Sequence, residues 1–349
     1  MTRTASLVCA LLIGGCSGGD DDDTPTPEPT PWPDDDDAGD DDDATEAPPC
    51  TSYGAPVNKG EVEDDGLDEI SGLGVSRVHR NWVWVHMDSG ADEPEVTALQ
   101  HDGDTIGTVV LPFINIDWED LAVGPCDQNG GSCVWVADIG DNEEDRSSLG
   151  LIRFEEPTDP PDSNRWRVEV KGDRFPFKYP SGDHDAEALV IQPDGSPAVF
   201  TKRDDGTMRV YRFDISKMSP GVEVEPELVA EPRTVPEALG DGIAAAATAA
   251  DMWPDGSRVV VRTYLHTREF LLTDGDLATM DIASSNQVFT ALEAQGEAIA
   301  YDPLERGIRH VAEGDNPPMW FLPCEDPKGD DDDSGDDDDS ADDDDSAGR

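Results

Sequence analysis

The sequence predicts an all-β protein, and two observations predict it. Five segments share one layout: Glu69-Ile-Ser-Gly-Leu-Gly-Val75, Glu119-Asp-Leu-Ala-Val-Gly-Pro125, Glu187-Ala-Leu-Val-Ile-Gln-Pro193, Thr248-Ala-Ala-Asp-Met-Trp-Pro254 and Glu297-Ala-Ile-Ala-Tyr-Asp-Pro303. Four begin with Glu, and four carry Pro six residues on. Each is followed by a turn and a second apolar stretch, at residues 82–87, 133–138, 198–202, 258–263 and 307–313. A third stretch often comes next, at 149–154, 208–213 and 319–322. β-Branched and aromatic runs punctuated by Gly, Pro, Asp and Asn favour strands over helices. Units of about four short strands that recur at this spacing describe a β-propeller.

The blades follow in chain order, each running from the central channel outwards. The fifth repeat holds only three strands before Cys324, and residues 57–64 supply the missing outer strand. That closes a ring of five blades. Six remain open, because the long third segment (187–247) has room for another. Residues 244–250, rich in Ala, are the one stretch with helical character.

Six cysteines divide by position. Cys9 belongs to an N-terminal export signal and Cys16 to its end, which leaves Cys50, Cys126, Cys133 and Cys324. An even number in an exported chain predicts two disulfides. Cys126 and Cys133 flank a turn-rich loop and staple a hairpin. Cys50 and Cys324 then pair, locking the ring where its ends meet. A four-Cys metal site is the rival, but these spacings fit no zinc pattern.

The chain opens Met1-Thr2-Arg3, with an apolar run to Ile13 and then Gly14-Gly15-Cys16. This reads as a lipoprotein signal over residues 1–15 with Cys16 carrying the lipid, palmitate included. The apolar run is too short to span a membrane permanently. Residues 16–49 form an acidic, Pro-rich disordered tether, residues 50–327 the propeller, and 328–349 an Asp-rich disordered tail. The protein is expected at the bacterial cell envelope, on the outer membrane or cell surface. There it meets the membrane through its anchor and a protein or glycan partner on its rim.

Charge narrows the partners further. Eighty Asp and Glu face 24 Lys and Arg, for a net charge of −56 over 349 residues. The middle of the chain stays strongly negative once both tails are set aside. Nucleic acid is excluded as a partner, since binding it needs a basic face.

In a propeller the first strand of each blade lines the channel. The starting residues therefore aim Glu69, Glu119, Glu187 and Glu297 at one axis, with Asp68, Asp117, Asp120 and Asp185 beside them. Carboxylates that face one another must protonate, pair with bases or share a cation. A hard cation with oxygen ligands, calcium above all, suits them. The second strands end near the same rim and add Asp88-Ser89, Asp138, Asp141-Asn142, Lys202-Arg203, Arg262 and Glu313. Lys202, Arg203 and Arg262 bind substrate on the functional reading. On the competing reading they neutralise the ring, which then only holds the blades in register. The six His residues show no zinc spacing. His184, between Asp183 and Asp185, is the candidate general base.

Asp117-Trp-Glu-Asp-Leu-Ala, Gly140-Asp-Asn142, Asp185-Ala-Glu-Ala-Leu and Gly296-Glu-Ala-Ile-Ala together resemble a family of exported bacterial propellers. That family is similar to phytase-like, calcium-dependent propeller hydrolases. The resemblance spans about residues 60–322. It implies Asp117, Glu119, Asp185, Glu187 and Glu297 as calcium ligands, with Lys202 and Arg262 facing an anionic substrate. Thr248, where the pattern has a fourth Glu, departs from it. Two functions follow: a recognition module without chemistry, and a calcium-dependent phosphoesterase, esterase or lactonase. A purely structural surface protein is the third reading.

Overall fold

A computed structural model describes residues 48–325, apart from 65, 90–93, 162–164 and 294. The described chain is all-β, with five short 3₁₀ turns and no longer helix. Its five sheets, antiparallel but for one added edge strand, are the blades of a five-bladed propeller.

Blade 1 holds β2 (Ile70–Val75), β3 (Trp82–Met87), β4 (Glu95–Gln100) and β5 (Thr105–Val110). Blade 2 holds β6 (Trp118–Gly124), β7 (Cys133–Asp138), β8 (Leu149–Glu155) and β10 (Asp173–Phe177). Blade 3 holds β11 (Ala186–Ile191), β12 (Pro197–Thr201), β13 (Val210–Arg212) and β14 (Glu227–Ala230). Blade 4 holds β15 (Ala247–Met252), β16 (Arg258–Thr263), β17 (Thr267–Leu271) and β18 (Ser285–Val288). Blade 5 holds β19 (Gly296–Asp302), β20 (Gly307–Ala312) and β21 (Pro318–Pro323), and β1 (Val57–Glu61) completes it as the outer strand.

The closure therefore follows expectation, three residues shorter than read. Cys50–Cys324 bridges the two ends of the ring, with Cα atoms 5.3 Å apart, and Cys126–Cys133 staples the β6–β7 loop. The sixth blade is absent from the described residues: 187–247 carries one blade with long connections. Residues 244–250 are not helical beyond a 3₁₀ turn at Ile243–Ala245, and Ala247–Met252 is the inner strand of blade 4. Tertiary packing overrides the helix preference of alanine, whose small side chain suits the crowded axis.

One strand was not foreseen. β9 (Trp166–Glu169) leaves blade 2 and pairs in parallel with β5, as a fifth strand on blade 1. Its Trp166 ring lies over Gly107, where a Cβ would come within 2.1 Å.

The core is five apolar layers, one at each blade interface. Within β7, Cys133, Trp135 and Ala137 pack towards Leu189, Val199 and Tyr211 of blade 3. Val134 and Val136 pack the other way, against Trp84 and Val96 of blade 1. A strand buried on both faces explains why these segments read as continuous apolar runs rather than alternating ones.

Each inner strand carries a one-residue register shift near its start, centred on Ser71, Glu119, Glu187, Thr248 and Glu297. A bulge re-aims a side chain out of the ladder. Here it turns one residue per blade out of its strand, near the end where the inner strands begin. This sets the true alignment of the repeat. Glu69 stands two residues too early to belong to it, and is exposed. Ser71 holds its place in blade 1.

Candidate functional site

The mouth of the channel is built where the inner strands start and the second strands end. The bulges bring Glu119, Glu187 and Glu297 there, all three buried. Ser71 and Thr248 complete the ring with hydroxyls. Each donates to the backbone carbonyl of the neighbouring blade, Ser71 to Glu119 at 2.5 Å and Thr248 to Gly296 at 2.6 Å.

Asp88, Asp117 and Glu119 converge most tightly, with one carboxylate oxygen from each lying within 4.8 Å of the other two. The loops that carry them are pinned. The Asn115 side-chain amide donates to the carbonyls of Met87 (3.2 Å) and Asp88 (2.9 Å), while its oxygen accepts from Trp118 N (3.2 Å). Ile139 and Gly140 donate their N–H groups to the Asp117 carbonyl. Gly140 closes the site from the side. A Cβ there would stand 2.0 Å from Glu119 Oε1 and 2.5 Å from Asp117 Oδ2, so only glycine leaves room for both carboxylates. Asp88 entered the sequence reading as a rim residue only. Its place at the end of a second strand was the available signal.

The electrostatics follow from crowding. Burial pushes the Glu119 carboxyl well above its usual range, and Glu187, Asp88 and Asp117 add to this. Glu297 is pushed up to about 8, first by burial and then by Glu313. Asp117, Asp185 and Glu313 move in the same direction, again first through burial. Lys202 opposes them. Burial works against its charge, yet Glu187, with which it forms an ion pair, holds the ammonium above its ordinary range. Its Nζ stands 5.4 Å from the centre of the Tyr264 ring. The other Glu187 oxygen, Oε2, is buried without a hydrogen-bond partner.

Other candidates are committed elsewhere. Asp120 is fully buried and accepts from Leu121 N (2.8 Å), Leu189 N (2.7 Å) and Ala250 N (3.2 Å), tying blade 2 to blades 3 and 4. Fully buried and engaged by backbone N–H groups of three blades, it is a structural acceptor. Asp138 pairs with Arg146 at 2.6 Å and Arg174 at 3.3 Å. Asp141 accepts from Asp145 N and Arg146 N, folding its own loop, and Asn142 is exposed on that loop. Asp185 accepts from Asp141 N at 2.8 Å. Glu313 accepts from the Gln295 side chain.

Arg262 is 2% exposed and donates to Ala298 O (2.9 Å), Val311 O (3.2 Å) and Glu293. It clamps blade 4 to blade 5 and has no face for a substrate. Arg203 is held by Asp205 and Thr207 within its own turn. His184 Nε2 stands 3.1 Å from Arg209 Nη1 and 3.0 Å from Ser181 Oγ. Arginine only donates, so that nitrogen is the acceptor and its lone pair is engaged. Burial, then Arg209, holds its pKa below the ordinary value. The expected base is a neutral structural imidazole. A second cluster, His101, Asp302 and Glu305, lies at the β19–β20 turn, at the end of the propeller away from the channel mouth. It is filled by Arg309, which bonds all three.

Cys16 and both acidic tails lie outside the described residues. No described helix is long and apolar enough to cross a membrane.

Fold and site together define a five-bladed β-propeller with a carboxylate-lined channel mouth. No family model and no curated protein sequence matches the chain. Among solved structures it is similar to the PQQ-bound form of aldose sugar dehydrogenase from Streptomyces coelicolor, at 10% identity and a TM-score of 0.43. The match covers 79% of this chain and 99% of that one. At that level the likeness carries no functional argument.

Proposed function

We propose that this protein is a cation-binding recognition module of the cell envelope, carried by a lipid on Cys16. Asp88, Asp117 and Glu119 would hold the ion, with Glu187 Oε2 facing the same mouth. An all-oxygen, multiply charged donor set suits calcium. The observation that carries the reading is the closure of these carboxylates against Gly140, a space that any side chain would fill. Without an ion, buried like charges have to take up protons, which is what the raised carboxyl pKa values express.

Calorimetric titration of the chelator-treated chain with calcium tests this, beside Asp117→Asn/Glu119→Gln. Binding that the variant loses while keeping its circular dichroism spectrum supports the reading. No heat in either protein removes it.

A hydrolase is the second reading, and one observation favours it: Glu297, with a pKa near 8, is a carboxyl able to hand over a proton at neutral pH. A bound divalent ion would supply Lewis acidity in that case. Turnover of phosphoester, ester or lactone substrates that Glu297→Gln abolishes would support it.

A further inference from the structure

Among the described residues, the four most exposed large apolar side chains are Leu292, Ile114, Phe289 and Ile243. All four sit on loops that deliver the chain to the start of an inner strand, and so at the mouth end of the propeller. Three of them border blade 4. Ile243 precedes β15, while Phe289 and Leu292 lie between β18 and β19. Exposed Leu265 joins them from the β16–β17 turn. That turn is at the mouth end because Thr263 pairs with Ala247, the first residue of β15.

The carboxylate ring is broken at two bulges, Ser71 and Thr248, but Asp88 after β3 returns an acid to blade 1, whereas Tyr264-Leu265-His266 after β16 returns none to blade 4. The mouth is therefore two-sided, with acid on the blade 5, 1, 2 and 3 side and an apolar crescent over blade 4. The two sides meet between Phe289 and Glu293, which precede Gly296 and Glu297 in the chain.

That segment is braced from beneath. The Glu293 side chain, 6% exposed, bonds Arg262 and stands 2.9 Å from His310 Nδ1, His310 Nε2 lies 3.3 Å from Ala291 N, and the Thr290 hydroxyl is 3.2 Å from that of Thr267. A buried ion pair contributes little net stability, but it specifies one arrangement. Here it holds Phe289 (77% exposed) and Leu292 (87% exposed) in water in a fixed position. Four large apolar groups exposed on loops at one end of a single blade fit a contact surface.

We propose that the blade 4 crescent docks a polypeptide segment in which a lysine or arginine is flanked by large apolar side chains. The apolar residues lie on Ile243, Leu265, Phe289 and Leu292. The cation reaches Glu297 and Glu313. Charge complementarity selects this occupant: a cationic segment compensates the buried Glu297 and half-buried Glu313 carboxyls, and an anionic one is repelled. The two described termini leave the surface clear. Cys50 and Cys324 lie at the opposite end, since Cys324 follows β21 beside the β19–β20 turn, where its N–H bonds Arg306 O at 2.8 Å. This rests on the recognition-module reading, but not on its metal.

The test pans a displayed library of short random peptides against the full chain, once in calcium and once in chelator. Enriched peptides carry Lys or Arg beside Leu, Ile, Phe or Trp. They bind Phe289→Ser/Leu292→Ser and Glu297→Gln about tenfold or more weakly than the unaltered chain. The double serine variant keeps the net charge and keeps calcium binding in calorimetry, so failure of the docking surface is distinguishable from failure of the cation site. Peptides enriched by charge alone, and indifferent to the serine variant, overturn the proposal. So does a dimer in light scattering that the serine variant dissolves, because the occupant would then be a second copy.

Discussion

Ser71 stands in blade 1 where Glu119 stands in blade 2, and the hydroxyl of the first donates to the backbone carbonyl of the second at 2.5 Å. Equivalent positions on neighbouring blades are thus joined directly. One of them supplies the channel charge and the other the strut behind it.

Ser71→Ala removes that strut and leaves a buried carbonyl with one acceptor site unfilled. The expected cost is about 1–2 kcal/mol, read from urea unfolding. The m-value stays unchanged, because the blades still form.

Gly140→Ala places a methyl group against Glu119 Oε1 and Asp117 Oδ2. Its φ is not in the left-handed region, so the effect comes from space rather than backbone strain. Calcium affinity is expected to fall at least about tenfold in calorimetry, since ligand positions shift by more than a coordination bond tolerates. Unchanged affinity would move the ion away from Asp117 and Glu119.

Glu297 makes stability depend on pH in a defined direction. Its folded pKa near 8 lies above the ordinary 4.5, so the folded chain binds the extra proton between these values. Stability without metal therefore falls as pH rises from about 5 to 8, through this group. Glu297→Gln should stabilise the chelated protein by on the order of 4 kcal/mol at pH 8 and by about 1 kcal/mol or less at pH 5. Thermal unfolding at both pH values reads this. A gain of equal size at both would trace to packing instead.

Arg262→Met removes the permanent cation from the Glu293 side chain and leaves only His310 beside it. In the unaltered chain burial, and then Arg262, push His310 down to about 4. The loss should reach about 3–5 kcal/mol, as for breaking one partner of a buried pair. Adding Glu293→Gln should return part of it. A single-variant loss below about 1 kcal/mol would show the clamp to be dispensable.

The ring and its closure were legible because they rest on local signals. Repeated strand-turn-strand patterns mark the blades, and an incomplete last unit calls for a strand from the other end. The register of the first repeat was not legible. Aligning Glu69 with the other glutamates matches letters. Aligning Leu73 with Leu121, Leu189 and Ile299 matches the bulge, which no single sequence displays. Partners were hidden for a related reason. Asp120 looks like any channel acid until its acceptors meet Leu189 and Ala250, 69 and 130 residues away. Arg262 looked available for a substrate because Ala298, Val311 and Glu293 approach it only in the folded ring. The fifth strand of blade 1 escaped because residues 156–172 carry a crossover between blades rather than a repeat.

Cys50 and Cys324 also bear on mechanics. They lie side by side, 274 residues apart in sequence, and the Asp-rich segments attach outside both. Tension applied between the two segments would run from Cys50 through sulfur to Cys324 and into the opposite segment, without crossing a blade. The propeller hangs beside the load path as a sealed loop. Pulling on its tails would straighten the leads and leave the hydrogen-bonded ladders slack, until a reductant opened the shunt and exposed β1 and β21 to shear.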